Sequence, residues 1–153
     1  MIVLSVDPSA SKTGYVVADV LEEKVDLLEY GTINLKGKKN HLEILYRELE
    51  EKIKNFQVDT VLLETPFYSI NAQTLIKLGE VRGVVILLTQ IYKLKLFQYT
   101  PAEVKISVTG YGRSSKEEVI NMVNRLFDLN LDDSDIADAL AILYCHTLKR
   151  IEV

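Results

Sequence analysis

IVLSVD, residues 2–7, is a run of strand formers that ends on a carboxylate, and VDTVLLE, residues 58–64, repeats the pattern with Glu64 in the last place. Short, almost continuous apolar runs of this kind read as strands buried on both faces. A charge at the end of such a strand is costly unless a cation or hydrogen-bond donors meet it, so Asp7 and Glu64 each begin a turn or belong to a site. Parallel neighbouring strands would deliver both acids side by side, at the C-terminal edge where open sheets hold ligands.

Working outward, GYVVADV (14–20) reads as a second strand joined to the first through the turn-rich PSASKT, and VDLLEYGTINL (25–35) as a third, completing a meander. After the loop KGKKN, His41 to Phe56 carries Leu42, Leu45, Leu49 and Ile53 at helical spacing. Asn71 to Tyr92 is an expected long helix, LKLFQYT (94–100) a fifth strand, and Ser115 to Phe127 and Asp133 to Arg150 two further helices. Three sequential strands followed by helices alternating with two more predict an α/β fold, a five-stranded mixed sheet flanked by helices. With 153 residues and 48% hydrophobic content, residues 1–153 are expected to form one domain.

Apolar runs are interrupted by Lys, Glu, Arg or Gln before the ~20 residues that cross a bilayer, and no basic segment precedes a cleavable apolar one, so a cytoplasmic protein with no membrane partner is expected. The single cysteine, Cys145, excludes an internal disulfide and a cysteine zinc cluster and is assigned to the core. His41 and His146 have no ligand spacing and are read as structural or surface residues. The net charge of −4 is unevenly spread. Lys93, Lys95, Lys105, Arg113 and Lys116 face one acid across 93–116, whereas 117–138 is strongly acidic with Arg125 its lone base. The first stretch suits phosphates and the second suits metal.

That acidic stretch contains DDSDIADALAIL, in which Asp135 and Asp138 share a helix face while Ile136, Leu140 and Leu143 point to a core. Ala137, Ala139 and Ala141 would let the helix lie close to the sheet and bring its acids toward Asp7 and Glu64. Four gathered carboxylates repel one another unless cations sit among them, and an all-oxygen donor set suits Mg²⁺, with Mn²⁺ as a substitute. Two-metal phosphoryl chemistry follows from such a set. In the plainer reading, Asp132 and Asp133 are helix caps and Asp135 is a first-turn acid favoured by the helix dipole.

VDPSASKTGY around Asp7, LLETPFY around Glu64, KLGEVRGVV, VKISVTGYGRSSKEEV and DIADALAI together resemble, in order and spacing over nearly the whole chain, the RuvC Holliday-junction resolvases. The resemblance implies the ribonuclease H-like fold, metal-ligand and catalytic roles for Asp7, Glu64, Asp135 and Asp138, and two Mg²⁺ per site. It further implies a homodimer that nicks two like-polarity strands of four-way junction DNA in recombination and repair, leaving 5′-phosphate and 3′-hydroxyl ends, with a RuvA–RuvB motor as partner. Ser9 departs from the family, which usually has Gly after the proline.

Phe67, beyond Pro66, either folds over the core or, as the resemblance favours, wedges against an unpaired base at the junction centre. Tyr68 is expected to pack. Ser114 and Ser115 each precede a Glu by three residues, a capping pattern that would leave helix N–H groups free for phosphate, with Arg113 and Lys116 adding charge. Solvated loop charge is the alternative, and the resemblance assigns DNA contacts to Lys105 and Lys116. Gly79 and Gly83 give one helix face a close partner, either the chain's own sheet or, in the family, a second subunit. Rival functions are a ribonuclease of the same fold acting on structured RNA, a junction-binding module without activity, and a sugar-kinase loop suggested by DPSASKTG but lacking a second lobe.

Overall fold

Apolar runs without alternation become the interior strands, and the alternating one becomes an edge. A computed structural model describes residues 1–22, 24–66 and 71–151. Strands β1 (Ile2–Asp7), β2 (Lys12–Leu21) and β3 (Lys24–Asn34) form the antiparallel meander; after α1 (His41–Phe56), strand β4 (Thr60–Glu64) adds to β1 in parallel. Helix α2 (Ala72–Ile91) leads to β5 (Lys95–Tyr99), parallel to β4, and the sheet order is β3-β2-β1-β4-β5. Helices α3 (Pro101–Thr109), α4 (Lys116–Phe127) and α5 (Ser134–Ile151) follow. The expected five-stranded mixed sheet is the one observed.

Successive side chains of β1 point to opposite faces and feed two cores. Leu4 and Val6 pack with Leu45, Leu49 and Ile53 of α1 and Val81, Val85 and Leu88 of α2. Val3 packs on the other face with Val104 of α3, Val119 of α4 and Leu140 and Leu143 of α5. β3 covers only one face, so its residues alternate between exposed and partly buried.

Helix α3 was not expected from the sequence. Its signal was present in TPAE: Thr100 caps the helix by accepting from the Glu103 N–H at 3.1 Å, Glu103 reaches back to the Thr100 N–H, and Pro101 occupies the first turn. For α4, only Ser115 of the two candidate serines is the cap, paired with Glu118. Ser114 is buried and hydrogen-bonded to Thr109 and to the Tyr111 carbonyl. The glycines of α2 do not face the sheet: a Cβ at Gly79 or Gly83 would meet nothing within 4 Å. The helix turns Val81, Arg82, Val85, Leu88 and Thr89 inward instead.

Candidate active site

Strand register supplies the first two acids. Val6 of β1 is the parallel partner of Leu63 of β4, so Asp7 and Glu64 leave the C-terminal ends of adjacent strands together. Helix α5 supplies the other two, and it lies close because nothing bulky separates it from the sheet. Ala137, Ala139 and Ala141 are fully buried, and a Cβ on Gly14 of β2 would stand 2.1 Å from the Asp135 carbonyl oxygen. The buried Ser5 hydroxyl donates to the Ala139 carbonyl at 2.6 Å and ties the helix to β1.

The start of α5 is set by Asp133, whose carboxylate accepts from the N–H groups of Asp135 at 2.9 Å and Ile136 at 3.0 Å. Asp132 is exposed and has no such role, so of the two expected caps only Asp133 serves. Lys12 lies 2.8 Å from Asp133 and 3.3 Å from Asp135. Burial raises the Asp133 carboxyl, but the Lys12 hydrogen bond and the two N–H donors hold it below its ordinary value.

The convergence is visible in the electrostatics. Burial, then repulsion from Asp138, Glu64 and Asp135, pushes the Asp7 carboxyl well above its ordinary range. Burial and Asp138 raise Glu64 to about 7 against the opposing charges of Lys105 and Arg82. Burial raises Asp138 to about 6, with repulsion from Asp135 in the same sense and the charges of Lys116 and Lys105 opposing. Buried carboxyls that resist ionisation beside one another mark a place where positive charge is favoured. Among the described residues no three His, Cys, Asp or Glu groups close into a ready metal cage. The four acids are gathered, and their oxygen-only chemistry fits hard divalent cations.

Two clefts flank the acids. Asp7, Glu64, Pro66, Arg82 and Lys116 border one of about 540 Å³. Glu64, Val104, Lys105, Lys116, Val119 and Asp138 border the other, of about 260 Å³. Lys105, on α3, and Lys116, at the first position of α4, therefore reach the acid cluster. Arg113 is exposed in the α3–α4 loop and borders neither cleft. Phe67 and Tyr68 lie outside the described residues. Ser9 suits its turn: its N–H donates to the Thr13 hydroxyl at 3.1 Å, and its φ is not positive, so glycine is not required there.

Arg82 is a site residue that sequence reasoning passed over. It is buried on α2 and donates to the Glu64 carbonyl and to the Gln98 side chain, holding the end of β4. An arginine on the inward face of an apolar helix was the available signal, since a buried charge needs partners. His146 and Cys145 stand apart from the acids. His146 is buried with its Nδ1 2.6 Å from the Tyr99 hydroxyl, and Cys145 lies 3.2 Å from the Ser107 hydroxyl, in keeping with structural roles.

Comparison with known proteins adds an independent observation. Residues 3–146 match the family model described as crossover junction endodeoxyribonuclease RuvC. The RuvC of Chlorobium chlorochromatii is 44% identical over 97% of this chain and 80% of its own length, and that of Pseudothermotoga lettingae is 39% identical over 98% and 96%. Among solved structures, Thermus thermophilus RuvC in complex with Holliday junction substrate superimposes with a TM-score of 0.88 at 26% identity, covering 99% of this chain and 96% of that one.

Proposed function

Because this chain belongs to the RuvC family of crossover junction endodeoxyribonucleases, we propose that Asp7, Glu64, Asp135 and Asp138 hold two Mg²⁺ ions and hydrolyse phosphodiesters in four-way junction DNA. The protein is a Holliday junction resolvase by family, acting in recombination and repair, and the family's nucleases depend on divalent metal. The observation that carries the metal assignment is the convergence of four acids on one sheet edge, three of them raised by burial and mutual repulsion. When bound, such ions supply a water of lowered pKa as nucleophile and positive charge opposite the leaving oxygen. Mn²⁺, with the same preference for oxygen, substitutes.

The chain's own groups do the remaining work. Asp7, Glu64 and Asp138 must give up their protons to act as ligands, and Lys105 and Lys116 favour that ionisation while offering positive charge to the scissile phosphate. Arg82 holds the backbone from which Glu64 projects. Arg113 reaches the DNA beyond the cleft, and Phe67 stacks on an unpaired base at the junction centre.

A homodimer gives the paired cuts. Ile76, Gly79, Gly83, Leu87 and Ile91 form one exposed stripe along α2, and its glycines allow the backbone of a second copy to approach closely. We assign the protein to the cytoplasm, beside a RuvA–RuvB branch-migration complex; no helix among the described residues is long and apolar enough to cross a membrane.

A synthetic four-way junction incubated with Mg²⁺, beside linear duplex and an RNA hairpin, tests the reading. Nicks placed symmetrically at the junction are expected. Equal cutting of linear duplex, or preference for the hairpin, would overturn it.

A further inference from the structure

The two basic residues proposed to meet the scissile phosphate, Lys105 and Lys116, line the cleft toward α3 and α5, yet a strand cut at the acids must continue on the other side as well. On that side a groove of about 430 Å³ runs between the β1–β2 turn, the turn after β3 and the first turns of α2. It shares Pro8, Ser9 and Leu78 with the cleft that holds Asp7 and Glu64, so the two adjoin. In a chain of net charge −4, none of its lining residues is acidic and two are lysines, Lys36 and Lys77. Both are exposed, and neither forms an ion pair among the described residues.

The groove is shaped by local backbone chemistry. Leu35 to Lys38 form a turn closed by the Lys38 N–H donating to the Leu35 carbonyl at 3.2 Å, with Gly37 at φ +73 in its third position. Lys36, in the second position of that turn, lines the groove. Opposite, the Ser9 and Ser11 hydroxyls lie 3.1 Å apart, and the Ser11 N–H donates to Ser9 at 3.3 Å. Positive charge facing neutral hydroxyl donors, with no competing carboxylate, is the chemistry of a phosphate-backbone contact.

We propose that the Ser9–Ser11 and Lys36–Lys77 groove is a second phosphate track, which binds the sugar-phosphate backbone of the DNA strand as it leaves the catalytic acids on the α2 side. The assignment rests on the junction-nuclease reading and extends it from the scissile phosphate to the neighbouring arm. A polymeric phosphodiester is the occupant because the groove adjoins the cleft; a single nucleotide seated at the acids would not reach it.

The test is junction binding by the full-length protein with Ca²⁺ in place of Mg²⁺ to limit cutting, measured across a range of salt concentrations. Each phosphate contact contributes about 0.9 to the slope of log K against log salt, so Lys36→Ala with Lys77→Ala is expected to flatten that slope by roughly 1.8 and to weaken binding at least tenfold at low salt. Lys93 and Lys95 belong to the same basic stretch of sequence but lie just before and at the start of β5, at the end of the sheet away from the acids, so Lys93→Ala with Lys95→Ala removes the same charge and should leave the slope close to wild type. Equal slopes in the groove double variant and wild type, or equal flattening by both double variants, would overturn the track. Inorganic phosphate competing as well as DNA of equal phosphate content would also overturn it, by showing an isolated anion site. If the wild-type protein does not prefer a four-way junction to linear duplex, the junction reading itself fails, a result distinguishable from failure of the groove alone. Melting curves check that both double variants are folded.

Discussion

Asp7 is buried among like charges, and in the proposed mechanism its substitution should separate metal binding from DNA binding. Asp7→Asn is expected to abolish cleavage while junction binding persists, because Lys105 and Lys116 are untouched. The same change should raise metal-free stability at neutral pH by on the order of 1 kcal/mol, because it removes a carboxyl whose ionisation burial and neighbouring acids oppose. It should also shrink the Mg²⁺-induced stabilisation, which for an intact site reaches about 2.7 kcal/mol at a hundredfold excess over Kd. Asp133→Ala should instead lose about 1 kcal/mol as a helix cap while keeping a Mg²⁺ response, and thermal melts with and without Mg²⁺ compare the two. The pH dependence has a definite sign. Glu64 at about 7 and Asp138 at about 6 keep protons in the folded state that the unfolded chain releases near its ordinary carboxylate range. The metal-free protein therefore loses stability as pH rises from about 4 to about 7 and then levels off. Asp133, held low, works in the opposite sense, but only below that window. Melts in chelator at pH 5 and pH 8 should show the loss in wild type and a smaller one in Glu64→Gln; equal losses would mean Glu64 carries no such shift.

Helix α5 brings its acids to the sheet by close approach, which makes Gly14 a sensitive position. Gly14→Ala puts a methyl group 2.1 Å from the Asp135 carbonyl, backbone against backbone, where no side chain can rotate away. A loss of roughly 2–3 kcal/mol in urea unfolding is expected, together with weaker Mg²⁺ stabilisation as Asp135 and Asp138 are displaced. Wild-type Mg²⁺ stabilisation in this variant would show that α5 can shift without moving the acids. Helix α3, which carries Lys105, begins at the capping box of Thr100. Thr100→Ala should cost about 1 kcal/mol.

Pairing of two copies along α2 would connect two active sites through the face opposite Arg82. Since the space around Gly83 is open within one chain, Gly83→Glu should leave the monomer folded. A charge in the stripe between Gly79 and Leu87 should nevertheless convert the proposed dimer to monomer in sedimentation, and paired nicks to single ones. A variant that still sediments as a dimer would move the interface elsewhere.

The sheet and the gathering of Asp7, Glu64, Asp135 and Asp138 as a candidate site were legible in the sequence because their signals are local: unbroken apolar runs for β1 and β4, a carboxylate at the end of each, and two acids three apart in an alanine-rich helix. The resemblance singled out Lys105 and Lys116, and the structure sets both at the clefts beside the acids. Short-range chemistry also announced α3, in TPAE, but in a segment too brief for apolar periodicity to show. Only the tertiary structure decided the rest, since it depends on which distant residues meet. Parallel pairing of Val6 with Leu63 sets Asp7 beside Glu64. Contact with Lys12 distinguishes Asp133 from Asp132, and the inward face of α2 gives Arg82 to the site while turning Gly79 and Gly83 outward. A sequence records what each residue can do; how burial and repulsion raise Glu64 to about 7 follows from neighbours dozens of positions away, brought there by packing.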